Sequence, residues 1–171
     1  MRTALMTLAC VAALAALAQP AGAKSPDEKI AYTVKVSSKV YGNSQATRQI
    51  ASGQTDDYTW KTTPPGGAAA LPSQCAAGHD WPVDENGALL RQTRVRLAPV
   101  VDTNTANIQL SFDALTPQPS ATKQGATSAD PGQCPAVSSS SEVVRFELPL
   151  NNKPKTITLK DGTQVTISAK S

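Results

Sequence analysis

The stretch that decides the fold is TRVRLAPVVDTNTANIQLSFDA, residues 93–114. Residues 94–97 alternate basic with apolar side chains, and residues 107–114 alternate polar with apolar ones. A period of two places each set of side chains on one face of a strand. The polar residues 102–105 between the two runs predict the turn of an antiparallel hairpin. The pairs expected to face one another are Leu97 with Leu110, Val95 with Phe112 and, on the solvent face, Arg94 with Asp113.

The same alternation appears before this hairpin. Residues 30–37 predict a first strand, in which Ile30, Tyr32, Val34 and Val36 share one face. A weaker strand region extends from about Thr47 to Trp60 and is interrupted at Gly53, which predicts a bulge or a turn.

The last thirty residues predict a meander of three short strands. Apolar residues alternate over 144–150, 157–159 and 165–167, and the dipeptides Asn151-Asn152 and Asp161-Gly162 separate them. Both dipeptides tolerate the positive φ of tight turns. A three-residue loop at 160–162 sets Ile157 opposite Val165 and keeps apolar side chains on one face. We therefore expect a type I turn with a bulge there, with positive φ at Gly162.

About seven short strands without a helical stripe or crossover helices predict an all-β fold. We expect a single antiparallel β-sandwich-like domain or a small barrel, with a core made mainly of Val, Ile and Leu. Two long segments, 61–88 and 116–141, are rich in Pro, Gly, Ala and Ser and are predicted to be loops. Loops of this length are where binding residues are first sought.

Residues 1–23 have the three parts of a secretory signal peptide. A positive charge at Arg2 precedes an apolar stretch over 4–18, and small residues at Ala21 and Ala23 fit signal peptidase. The apolar stretch is shorter than the roughly 20 residues that a membrane span needs. We therefore expect a cleaved signal, a mature domain over 24–171 with no stable membrane span, and a periplasmic or secreted location.

The charge of the mature chain excludes strongly electrostatic partners. Removing the signal leaves 15 Lys and Arg against 13 Asp and Glu, a net charge near +2. A balance this even does not predict binding to nucleic acid or anionic lipid.

A structural zinc site would need about four Cys or His ligands, and the mature chain has two cysteines and one histidine. We expect neither a metal nor a cofactor.

Cys75 and Cys134 are the two cysteines that remain after cleavage at residue 23, and one lies in each long loop. In an oxidising compartment a pair of this kind predicts a disulfide. Such a bond would connect the two long loops at the same end of the sheet. A redox-active or intermolecular pair is the alternative, but neither cysteine has a Cys-x-x-Cys neighbour or nearby cations to make a reactive thiolate.

Three further side chains are candidate ligand contacts. Trp60 and Trp81 flank the first long loop and could form an aromatic platform, or they could anchor the core and the loop. His79 is the only histidine, and a small hydrolase could use it. However, no nucleophile context such as Gly-x-Ser-x-Gly accompanies it, so we predict no catalytic residue.

The stretch from Gly87 to Ser168 has a strand before Pro99, a Ser-rich gap and a final strand leading to Lys160-Asp161-Gly162-Thr163. This strand spacing resembles that of the outer-membrane domain of bacterial secretins. The resemblance covers about half of the chain, includes no diagnostic motif and implies no site residue.

These observations favour an exported, non-enzymatic β-domain protein that binds another protein or a surface component of the envelope. One alternative is an accessory subunit of an envelope secretion or pilus machine, in which an exposed strand edge pairs with a partner strand. The other is the small hydrolase that uses His79. The sequence alone identifies no ligand.

Overall fold

A computed structural model describes residues 28–76, 80–118 and 134–171 of the chain. The predicted signal peptide over 1–23 and His79 lie outside the described residues. Eight strands and one short helix make up the described part. In chain order they are β1 (Lys29–Ser38), β2 (Gly42–Ala51), β3 (Asp56–Thr62), α1 (Ser73–Ala76), β4 (Arg91–Asp102), β5 (Thr105–Pro117), β6 (Val137–Pro149), β7 (Lys155–Thr158) and β8 (Gln164–Lys170).

The strands form two four-stranded antiparallel sheets, which confirms the all-β, sandwich-like fold. Sheet A has the order β2-β1-β8-β7, and sheet B has the order β3-β4-β5-β6. The number of strands is eight rather than about seven, because the weak region around Gly53 contains the end of β2, a turn and β3. No helix among the described residues is long and apolar enough to cross a membrane.

The central hairpin has the predicted register. β4 and β5 pair Val95 with Phe112, Leu97 with Leu110 and Arg94 with Asp113. The apolar members of these pairs are 0 % exposed, whereas Asp113 points to solvent. The period-two pattern therefore fixes both the register and the buried face, as expected when one face must leave water.

The core lies between the two sheets and is built from the alternate side chains of their inner faces. Sheet A contributes mainly from β1 and β8, and sheet B mainly from β4 and β5, with Leu148 from β6. The largest fully buried side chains are Tyr32, Tyr58, Phe112, Ile30, Leu89, Leu97, Ile108, Leu110, Leu148 and Ile167.

The end of the chain is not a three-stranded meander. β6 pairs with β5 in sheet B, whereas β7 pairs with β8 in sheet A, so the segment around Asn151-Asn152 crosses between sheets. Asn152 has the positive φ expected of it (63°), but its N–H donates to Ala169 O at 2.9 Å instead of closing a hairpin. Alternation shows that 144–150 is a strand, but it does not show which strand is its partner.

The β7–β8 hairpin is as predicted. Ile157 pairs with Val165, Gly162 has a φ of 82°, and Leu159 N–H donates to Thr163 O across the three-residue loop.

The second long loop is shorter than the predicted span 116–141. β5 continues to Pro117 and β6 begins at Val137, so the serines 138–141 form part of a strand that pairs with β5. In the first long loop, over 61–88, β3 extends to Thr62 and α1 occupies 73–76. Serine runs have linker-like composition, yet the long β5 supplies a partner that orders them.

Candidate functional site

The edge of sheet B at β6 is the most extended open feature of the described residues. Leu150 N–H donates to Asn104 O at 2.9 Å, toward β5, while Glu147 O accepts a bond from the opposite side. Backbone groups of successive residues in an antiparallel strand point to opposite sides. Even-numbered residues of β6 therefore direct their N–H and C=O groups to β5, and odd-numbered residues direct theirs to the open edge.

The same odd-numbered residues place their side chains on the outer face of sheet B. Ser141 Oγ donates to Asp113 Oδ1 at 2.7 Å, and Arg145 Nε donates to Gln109 Oε1 at 3.0 Å, so both are tied to β5. Between them Val143 is 57 % exposed, which is high for a large apolar side chain. A partner strand would therefore meet a β6 that is already held in place.

On its inner side β6 is held by the turn between β7 and β8. Lys160 N–H donates to Glu142 Oε2 at 3.0 Å. Burial alone would raise the pKa of Asp161, but hydrogen bonds from Thr163 and Ser140 outweigh it and lower the pKa. The carboxylates of Glu142 and Asp161 are thus both hydrogen-bonded within the fold, and the β7–β8 turn of sheet A contacts the inner side of β6.

Lys155 covers one end of the edge. Its Nζ donates to Glu147 O at 3.0 Å and lies 5.4 Å from the centre of the Phe146 ring. Lysines at sheet edges commonly protect them against unwanted pairing. Within the described part of the chain β6 pairs with β5 alone, so the segment 137–145 extends beyond this protected end.

The other side of the outer face contains an ion-pair cluster. Asp57 on β3 accepts a bond from Arg94 and two from Arg96, at 2.8 and 3.1 Å. Hydrogen bonds from Arg96 and then Arg94 lower the pKa of Asp57 to about 2, and the same contact raises the pKa of Arg96. Arg94 and Arg96 on β4 therefore share a single carboxylate, Asp57, across the pair β3–β4.

Two shallow depressions lie between this cluster and β6, and they share the small residue Ala98 and the side chain of Gln109. One is bordered by Asp57 and Arg96, and the other by Arg145 and Glu147. Neither is enclosed by a catalytic set of side chains. Among residues 28–76, 80–118 and 134–171 no group of three or more His, Cys, Asp or Glu could hold a metal.

The structure separates the roles of the two tryptophans. Trp60 is half-buried against the core, with its ring centre 6.1 Å from that of Tyr58. Trp81 is half-buried in the first long loop, where its Nε1 donates to Cys75 O at 2.7 Å. Both have a structural contact, and His79 is not described, so a ligand role for these three residues stays a prediction.

The predicted disulfide is present. Cys75 and Cys134 are joined with a Cα–Cα distance of 5.5 Å, between the helix α1 and the residues that lead into β6. The bond therefore anchors the start of the edge strand to the loop between β3 and β4.

The position of the open edge at β6 is what sequence reasoning missed. Near its start lies the run Ser138–Ser141, in which hydroxyl side chains give no apolar period of two. The signal that could have indicated the pairing is the length of β5, because a strand of thirteen residues can pair along its whole length only with another long strand, and β6 also has thirteen residues.

Taken together, the described residues define a disulfide-linked antiparallel β-sandwich-like domain whose longest edge strand is β6. The chain belongs to DUF6013, a family of unknown function, whose match covers residues 1–171. Comparisons with curated proteins and with solved structures find no match.

Proposed function

We propose that this chain is an exported, non-enzymatic protein that binds another protein of the cell envelope through the open edge of β6. The observation that supports this proposal is the thirteen-residue edge, whose odd-numbered backbone groups point away from β5. An extended segment of a partner would add as a fifth strand of sheet B.

Strand addition fits this surface chemically. Main-chain hydrogen bonds would supply affinity, and alternate side chains would supply specificity. Val143 offers an apolar contact, and Arg145 and Glu147 offer one charge of each sign. Because the charges of Arg145 and Glu147 balance, the edge favours a partner recognised by shape and backbone hydrogen bonds over one recognised by its net charge.

The Cys75–Cys134 bond supports export, because disulfides persist in oxidising compartments such as the periplasm or the extracellular space. Cleavage after residue 23 would leave 148 residues. Intact mass of the protein from a fractionated host would show the 24–171 species outside the cytoplasm, and an uncleaved cytoplasmic species would contradict this part of the proposal.

Binding is tested by a proline that removes one outward N–H. Val143 is odd-numbered, so Val143→Pro deletes no bond to β5 but blocks an added strand, and edge strands accept proline at such positions. Val143→Ala is the matched control, since it shortens the side chain and keeps the N–H. Crosslinking in envelope extracts should give one partner other than a second copy of this chain with the wild type and with Val143→Ala, and no such partner with Val143→Pro.

Two outcomes would contradict the binding site. A partner retained by folded Val143→Pro would place binding elsewhere on the molecule, and the absence of any partner from all three proteins would remove the proposal. A partner that is a subunit of a secretion or pilus machine would make this chain an accessory subunit of that machine, because the same edge would serve that role.

A further inference from the structure

We propose that β6 also pairs with β6 of a second copy of this chain, antiparallel and centred on Val143. This inference goes beyond the proposed function and does not depend on it, because a dimer can form at this edge without any other partner; since both pairings use the same backbone groups of β6, one chain forms only one of them at a time. The result would be one continuous eight-stranded sheet made from the two copies of sheet B.

Backbone parity allows the pairing. Odd-numbered residues of both copies direct their N–H and C=O groups to the open edge, so a two-fold axis brings donors opposite acceptors. The outer faces of both sheets then lie on the same side. A two-fold contact of this kind closes on itself and does not propagate into a fibre.

Charge restricts the register. An axis at Glu142 would place two carboxylates directly opposite one another, and an axis at Arg145 would do the same with two guanidinium groups. Like charges directly opposite are destabilising. An axis at Val143 or at Val144 avoids both conflicts. The pairs that an axis at Val143 creates on the outer face are Val143 with Val143, Ser141 with Arg145, and Ser139 with Glu147.

Length selects the axis at Val143. β6 extends from Val137 to Pro149, so Val143 is its midpoint, and only this axis places all thirteen residues opposite a residue of the other copy, with Pro149 the one outward-facing position that has no N–H to donate. It also covers an apolar side chain that is 57 % exposed in the single chain. Lys155 does not prevent the contact, since Glu147 O has two lone pairs and can accept both Lys155 Nζ and a partner N–H.

The contact is expected to be reversible. A single strand pair buries less area than the roughly 1,200 Å² at the lower limit of stable interfaces. Sedimentation velocity of the purified mature chain should therefore show a monomer that converts to a dimer as concentration rises through the micromolar range. A chain that stays monomeric up to millimolar concentration would overturn the proposal.

Charge substitutions locate the interface without changing the backbone. Val143→Lys places two ammonium groups at the axis and should abolish the dimer. Val100→Lys is the matched control, because Val100 is also 57 % exposed but lies on β4, away from the edge. A dimer that survives Val143→Lys, or one that Val100→Lys abolishes equally, would contradict the proposed interface.

Engineered cysteines test the register. Directly opposite, hydrogen-bonded residues have Cα atoms about 5.5 Å apart, which permits a disulfide. Val143→Cys should therefore form a covalent dimer on mild oxidation. Ser141→Cys should not, because residue 141 faces residue 145 of the other copy. Equal crosslinking of both variants would refute the register. These assays use the purified chain alone, so their outcome is separate from capture of an envelope partner.

Discussion

At the scale of single residues, two buried tyrosines mark the contact between the sheets. Tyr58 on β3 donates its hydroxyl to Tyr32 O on β1 at 2.9 Å. Tyr32 Oη is itself buried and has no hydrogen-bond partner among the described residues. Burial raises the pKa of Tyr32 to about 12, and burial, together with the nearby Asp56, also raises that of Tyr58. Both rings therefore stay neutral at physiological pH.

The two hydroxyls should contribute differently to stability. Tyr32→Phe removes a buried polar group without a partner, so the free energy of unfolding should be unchanged or should rise slightly. Tyr58→Phe removes a bond between the sheets and should cost about 1 kcal/mol. Urea denaturation of the two variants makes the comparison. An equal loss in both would show that Tyr32 Oη has a partner in solution.

Asp57 gives the protein a pH dependence of known sign. Its pKa is lowered from 3.8 to about 2 by Arg96 and Arg94, so its ion pairs stabilise the fold above pH 3.8. This contribution is lost as the pH falls toward 2. Because the side chain is 31 % exposed, we expect only about 1 kcal/mol from it.

The variant Asp57→Asn isolates this contribution. At pH 7 the variant should have the lower free energy of unfolding, and its difference from the wild type should shrink as the pH falls toward 2. A difference that stays constant between these pH values would assign the stability change to packing and not to the charge.

At the scale of elements, the sequence predicts the register within a hairpin better than it predicts which strands pair with one another. The hairpin over 93–114 and the turn at 160–162 were predicted residue by residue, because parity and turn chemistry are local properties. The pairing of β6 with β5, and not with β7, is not local, and it decides where the open edge lies. The alternation that would predict β2 is also weak, because most of its side chains are polar and only its last two residues are buried.

The candidate site was predictable only in part. The disulfide was predicted from the expected export and from a count of cysteines, which needs no geometry. Placing an edge at β6 required knowing which strands have only one neighbour, and the local alternation does not contain that information. The sequence offered Trp60, His79 and Trp81 as candidate ligand contacts. Of these, Trp60 and Trp81 are described, and both have contacts within the fold.

The turn between β7 and β8 tests the role of backbone conformation. Gly162 has a φ of 82°, and no atom would lie within 4 Å of a Cβ added there. Gly162→Ala should therefore be destabilising by about 1 kcal/mol through backbone strain alone. Thermal unfolding measures the effect, with Lys160→Ala in the same loop as the control. A neutral Gly162→Ala would contradict the bulged turn.

At the scale of the whole molecule, one end of the two sheets is linked by Arg91. Arg91 at the start of β4 donates to Thr62 Oγ1 at 3.0 Å and to Val40 O at 3.4 Å, which links sheet B to the turn between β1 and β2. At the same end of sheet B, the connections between β3 and β4 and between β5 and β6 are long. Closing connections of this length costs conformational entropy when the chain folds.

The Cys75–Cys134 disulfide addresses this cost, so its removal should destabilise the whole domain. The bond has a sequence separation of 59 residues, and the chain-entropy treatment of such a loop gives about 4 kcal/mol. The double variant Cys75→Ala, Cys134→Ala should lose about that much unfolding free energy in urea, and it leaves no unpaired thiol. Alkylation of the unreduced mature protein provides the control: its mass should not change, whereas prior reduction should add two labels. A mass gain without reduction would show that the two cysteines are not bonded, and a double variant as stable as the wild type would show that the bond does not stabilise the fold.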